Sequence, residues 1–288
     1  MPSSSSEHDF VELLEARVTP AVYFSDVPDG DPTIVDHSTL TYRDWDGDMV
    51  TVKFSKNILD SQETVDAIFD FSEPFELEGG LKGHRLAGIS LENFEGNPKL
   101  LKKLDITITA EYVPVQGGDT ASGEAKFQGN GLADVGFIDA TETDLRHVSV
   151  DGNLEKILCG DAKVSTPGLR SLEVQSLGKH FDLQGSMPEM PISVIHGALK
   201  ELDVKGRIMG TVVQVEGGKH GDISKVHVGD GIIPRGFYGY LGVFDLEGSL
   251  GKVNITGHEL HGPYSDGPIG SSGLGWPVDL KPIKVKRG

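Results

Sequence analysis

Cysteine is almost absent from this 288-residue chain. Cys159 is the only one, so no intrachain disulfide can form. That lack does not decide the compartment, because many bacterial secreted proteins also do without disulfides. No apolar run of about 18 residues occurs, so no membrane-spanning helix is expected. The opening stretch, "MPSSSSEHDF", has neither the basic n-region nor the apolar h-region of an ordinary signal peptide. Basic residues are scarce: 26 Lys and Arg stand against 44 Asp and Glu, for a net charge of −18. The imbalance is concentrated in residues 1–150, which hold 28 acidic and 11 basic groups. A field of that sign repels phosphate backbones and argues against a nucleic-acid partner. It would attract divalent cations or basic partners, although solubility alone also accounts for it.

Helix signals are few as well. "HDFVELLEARV" (8–18) has Asp9 as a cap and Phe10, Leu13, Leu14 and Val18 near helical spacing, with Pro20 to stop it. "PKLLKKL" (98–104) is a shorter candidate. What the chain does contain is glycine, 38 of them, and alternating apolar residues, which point to strands and turns. "STLTYRDWDGDMVTVKFS" (38–55) reads as a β-hairpin around an Asp-Gly step. "DAIFDFS" (66–72), "RLAGISLENF" (85–94) and "LDITITAEYVPV" (104–115) read as further strands, and 116–131 as a polar, glycine-rich loop.

One phrase recurs. "LRHVSVDG" (145–152), "LRSLEVQS" (169–176), "LKELDVKG" (199–206), "ISKVHVGD" (223–230) and "LGKVNITG" (250–257) share the form apolar–x–x–apolar–x–apolar. Their anchors Leu145, Leu169, Leu199, Ile223 and Leu250 lie 24, 30, 24 and 27 residues apart. One similar strand per 24–30 residues is the pattern of a solenoid, in which each coil offers the same apolar rung to the next. Second strands fit between the anchors at 154–160, 180–185, 210–217 and 242–248. The expected fold is therefore all-β: a parallel β-solenoid (β-helix) with a short N-terminal helix. A β-sandwich is the alternative, since it too has short strands and frequent turns. Residues 1–20 are assigned to an N-terminal motif and capping helix. Residues 21–131 form an irregular acidic β region, either sandwich-like or built of early coils. The solenoid repeats span 132–275, and 276–288 are a basic tail.

Two features resemble a known group. "FVELLEARVTPA" (10–21) resembles the LEPR-XLL-type N-terminal motif of large bacterial surface and secreted proteins, through Leu14, Glu15, Arg17, Val18, Thr19, Pro20 and Ala21. Ala16 departs from that motif, standing where proline or an acidic residue is commoner. The phrases over about 39–273, from "DGDMVTV" to "GSLGKVNITG", are similar to the glycine-rich β-repeat segments of such proteins. The resemblance implies an extracellular or cell-surface β-solenoid and implies no catalytic residues.

Candidate chemistry is sparse. "DWDGD" sets Asp44, Asp46 and Asp48 at alternate positions about Gly47, which offers hard oxygen ligands to calcium on a tight loop. A plain Asp-Gly hairpin turn of type I′ explains the same residues. Phe237, Tyr238 and Tyr240 in "GFYGYLGVF" are candidates for stacking on sugar rings, or else plugs inside a coil. Asp203 with Lys205, Asp222 with Lys225, and Asp245 with Lys252 could share a face, as in polysaccharide-degrading β-helices, or form a solvated charge ladder. His258 and His261, with His220 and His227 upstream, fall short of a zinc motif. Cys159 sits on an alternating strand and reads as a small buried apolar residue. Trp276 could cap the last coil. The expected function is a non-enzymatic structural or adhesive module with polysaccharide or other cell-surface components as partners. The alternative is a carbohydrate-active β-helix that binds, lyses or hydrolyses polysaccharide.

Overall fold

The computed structural model describes residues 30–77, 80–114, 127–178, 191–233 and 244–255. Strand dominates at 58%, against 9% helical residues. Among the described residues, seventeen strands join one large, mostly parallel sheet.

Its organising feature is a stack of six strands: Leu104–Glu111, Leu145–Gly160, Leu169–Gly178, Leu199–Val204, Ile223–Val228 and Leu250–Ile255. Each pairs in parallel with the next, and the leading residues Leu104, Leu145, Leu169, Leu199, Ile223 and Leu250 stand in register. The five recurring phrases thus lie one above another, with Leu104 as a sixth member. A second column runs through Ile106, Val148, Leu172, Leu202, Val226 and Val253, and a third through Ile108, Val150, Val174, Val204, Val228 and Ile255. Period-2 alternation sends the second and third columns to one face. From Leu104 through Val228 every member of the three columns is at most 2% exposed. Burying each such side chain contributes about 1.5–3 kcal/mol, and the columns form one continuous part of a core that also takes in the hairpin and the companion strands.

A parallel companion stack comprises Leu86–Ser90, Ala133–Thr141, the second half of Leu145–Gly160, Ile192–His196, Val212–Glu216 and Phe244–Leu246. The 16-residue strand Leu145–Gly160 serves both stacks and slips register between Val150 and Asn153, where it passes from one to the other. "LEKILCG" is therefore the continuation of the preceding strand rather than a separate one.

The front end is antiparallel. Thr39–Arg43 and Met49–Phe54 form the expected hairpin, and Thr33–Asp36 pairs with its first strand. Leu104–Glu111 is the junction: antiparallel to Met49–Phe54 on one side, parallel to Leu145–Gly160 on the other. The parallel ladder thus starts well before residue 132.

Three local readings need correction. Gln62–Ile68 is an α-helix, and only Phe69–Phe71 of the segment 66–72 is strand. Ser61 caps that helix by accepting the Thr64 N–H at 3.3 Å, while Val65 and Ile68 face the core. The segment 98–104 holds one 3₁₀ turn, Pro98–Leu100, because Lys103 takes a left-handed conformation (φ 55°) and turns the chain into the next strand. Residues 91–93 are also a 3₁₀ turn, which ends the strand at Ser90. The helix expected at 8–18 and the strand at 180–185 lie outside the described residues. No helix among the described residues is long and apolar enough to cross a membrane.

Candidate metal centre

The hairpin turn is wider than a two-residue Asp-Gly loop. The Asp44 N–H donates to the Asp48 carbonyl at 2.9 Å, and the Gly47 N–H to the Asp44 carbonyl at 3.2 Å. Three residues, Trp45, Asp46 and Gly47, therefore form the loop, with Gly47 at φ 108°, a conformation that side-chain-bearing residues rarely adopt. This geometry draws the three aspartates inward. Asp44 is 2% exposed and Asp48 0%, while Asp46 is half-buried.

Each carboxylate has a distinct role. Asp44 Oδ1 accepts the backbone N–H groups of Asp46, Gly47 and Asp48 at 3.2, 3.0 and 2.9 Å, which holds the loop closed. Asp48 Oδ2 reaches across the fold and accepts the N–H groups of Asn130 and Gly131 at 2.9 and 2.6 Å. The remaining oxygens, Asp44 Oδ2 and Asp48 Oδ1, are buried without a hydrogen-bond partner among the described residues. One oxygen from each of Asp44, Asp46 and Asp48 lies within 4.8 Å of the others. Among the described residues, this is the group of three His, Cys, Asp or Glu side chains close enough to share a metal ion.

The surroundings raise the electrostatic cost. Burial, then the Asp46 carboxyl and the Asp48 charge, push Asp44 up to about 9, against a lowering by the Gly47 N–H. Burial likewise raises Asp48, despite its backbone donors. Arg43 is also buried; its Nη1 donates to the Gly47 carbonyl at 3.0 Å, and its Nε has no partner. Burial lowers the guanidinium pKa, and Asp44 partly restores it. Three carboxyl groups beside one guanidinium could hold a divalent cation. The ligand chemistry is all oxygen, which suits calcium or magnesium rather than zinc. The nearest imidazole by sequence pairing, His84, is engaged with Asp31 at 3.0 Å.

Several contributors carry no local sequence signal. Asn130 and Gly131 lie more than 80 residues from Asp48. Gly129 permits the contact: a Cβ there would fall 1.9 Å from Asp48 Oδ1, and its φ is 98°. Trp45 and Tyr112 are 44% and 56% exposed, yet their polar ends are held. Trp45 Nε1 donates to Asp134 Oδ2 at 3.0 Å, and the Tyr112 hydroxyl donates to the Asn130 carbonyl at 2.9 Å. Both rings are thereby tied to the short segment 130–134.

The other candidates do not converge. Lys205 pairs with Glu173 at 2.9 Å and Lys225 with Glu201, not with the aspartates nearest in sequence. Asp222 accepts the Ser249 N–H and hydroxyl at 2.6 and 2.7 Å. Asp203 stands in register between Glu173 and His227 on the outward side of the stack. These are exposed or half-exposed pairs between successive strands, and they form a charge ladder. Cys159 is buried between Ala140 and Ile195; burial first, then Asp144 and Asp139, push its thiol up, which opposes a nucleophilic role. Phe237, Tyr238, Tyr240, His258, His261 and Trp276 lie outside the described residues. No family model, curated protein or solved structure matches the chain.

Proposed function

We propose that this chain is a parallel β-solenoid serving as a non-enzymatic structural or adhesive module, outside the cell or at its surface, with calcium held at the loop Asp44–Asp48. The observation that carries this reading is the run of six in-register rungs, from Leu104 to Leu250. A repeated rung with ion-paired outward rows makes a regular, extended exterior suited to spacing or presenting contacts. A catalytic face would need carboxylates and a base converging in a groove, and the outward pairs of the described rungs bind each other instead. Calcium fits as the neutralising partner of the acidic hairpin, where hard oxygen ligands gather on a closed loop.

A second reading is favoured by one observation. Trp45 and Tyr112 are half-exposed rings with their polar ends held, a rigid arrangement suited to stacking on neutral sugar rings. On this reading the module binds polysaccharide.

The deciding experiment incubates the purified chain with neutral and acidic polysaccharides, with calcium or with chelator, and follows both retention and product release. A folded protein that neither retains nor cleaves any of them fits the structural module. Retention lost in Trp45→Ala and Tyr112→Ala variants establishes the binding reading. Release of shortened chains overturns both.

A further inference from the structure

We infer that the cation at the Asp44–Asp48 loop acts as a staple, fixing the segment 129–134 against the hairpin and so adding a second tie between the antiparallel front end and the parallel stack, beside the junction strand Leu104–Glu111. The inference rests on the calcium part of the reading above and is independent of the solenoid's biological role.

The connection runs through Asp48. This carboxylate is fully buried, with both oxygens close to the segment 129–131. Oδ2 takes the Asn130 and Gly131 N–H groups, and Oδ1 has no hydrogen-bond donor among the described residues. Asp44 repeats the pattern, with Oδ1 saturated by three N–H groups and Oδ2 bare. Two buried carboxylate oxygens without partners, beside a third carboxylate, are the groups that a cation satisfies. Leaving them bare costs either an uncompensated buried charge or the uptake of a proton. With the ion on the loop side of Asp48, the two backbone donors become its outer shell, and outer-shell groups orient the ligands they touch.

What the staple holds is the approach to a structural strand. Residues 129–131 lead directly into Ala133–Thr141, which pairs in parallel with both Leu86–Ser90 and Leu145–Gly160. The same stretch receives the Tyr112 hydroxyl at Asn130 and the Trp45 indole at Asp134. Loop, Tyr112 and strand start are thus clamped around one carboxylate. A calcium ion completes its coordination with loop carbonyls and water, and tolerates an irregular shell better than magnesium does.

The test uses the full chain, stripped with chelator and titrated with calcium chloride or magnesium chloride by calorimetry, with hydrogen exchange followed in parallel. The expected result is one calcium site that prefers calcium to magnesium. Protection should rise at the Asn130 and Gly131 amides on binding, while the Leu172 and Val174 amides stay unchanged. In a Trp276→Phe background Trp45 is the sole tryptophan, and its emission should shift along the same titration. Asp48→Asn keeps an oxygen for the two amides but should abolish binding. Asp46→Asn, at the half-buried position, should weaken it about tenfold or more and serves if Asp48→Asn does not fold. Calcium binding with no change at Asn130 and Gly131 overturns the staple and leaves the calcium site standing. No calcium binding to the folded chain overturns both.

Discussion

The parallel stack and the acidic hairpin are built on opposite principles, although they share a sheet. In the stack, stability is distributed: each rung repeats the same three apolar positions, and each neighbour is another copy of the pattern. The hairpin has buried apolar residues too, Leu40, Val50, Val52 and Phe54, but adds to them a cluster of buried polar atoms. Of the five buried side-chain atoms without partners among the described residues, four belong to Tyr42, Arg43, Asp44 and Asp48, and one, from Asp203, lies in the stack. The difference teaches where the molecule is self-sufficient. Apolar columns need nothing but each other, whereas a buried acidic loop needs a proton, a cation or both.

The largest test of that contrast lies inside the stack. Leu202→Ala removes a fully buried side chain between Leu172 and Val226 and should cost about 2–5 kcal/mol in urea unfolding. Val253→Ala, on the partly exposed last described rung, should cost under about 1 kcal/mol. Equal costs would break the picture of a core that thins toward that rung.

Next comes the hairpin's packing. Gly129→Ala forces a methyl onto the Asp48 carboxylate at a left-handed backbone position and should cost about 1–3 kcal/mol. Calcium affinity should fall with it, and the Leu172 amide should stay protected. Calcium removal itself should lower thermal stability. With free ion at about 100 times its dissociation constant, the linkage is worth about 2.7 kcal/mol. Asp46→Asn should cut that calcium dependence to about 1.4 kcal/mol or less at the same free ion and leave calcium-free stability within about 0.5 kcal/mol of the parent.

The smallest expected effect is a pH dependence on the stack's surface. The side-chain hydrogen bond and charge of Arg146 hold the Asp105 carboxyl below its usual value, against some desolvation. A lowered folded pKa contributes stability at neutral pH and loses it as pH falls below about 3.8 through the folded value. Asp105→Asn should therefore lower the neutral plateau slightly and flatten the acid limb of a stability–pH curve by the same small amount. A large neutral-pH loss would mean that the surface ladder carries more of the fold than its columns do.

Legibility in the sequence follows the same division. The anchors Leu145 to Leu250 were readable because a strand shows its buried face every second residue, and stacking repeats that face at each rung. Leu104 belongs to the same column but stands 41 residues before Leu145, outside the apparent period. The helix Gln62–Ile68 was unreadable for a local reason: at seven residues, with two buried apolar positions, it presents too little periodicity to outweigh the strand-like "IFDF" that follows. At the hairpin, the three aspartates were visible and their depth was not. An Asp-Gly step announces a turn, but whether its carboxylates face water depends on what packs over it.

Taken alone, the sequence determined the three apolar columns, the hairpin and the acidic character of the front end, because alternation, turn residues and charge are local properties. Only the tertiary structure decided that Asn130 and Gly131 meet Asp48, that Gly129 leaves room for it, and that Asp44 and Asp48 each keep a bare, buried oxygen. The reason is physical: the energy of a carboxylate is set by the water excluded from it and the donors brought to it, and both come from residues far along the chain.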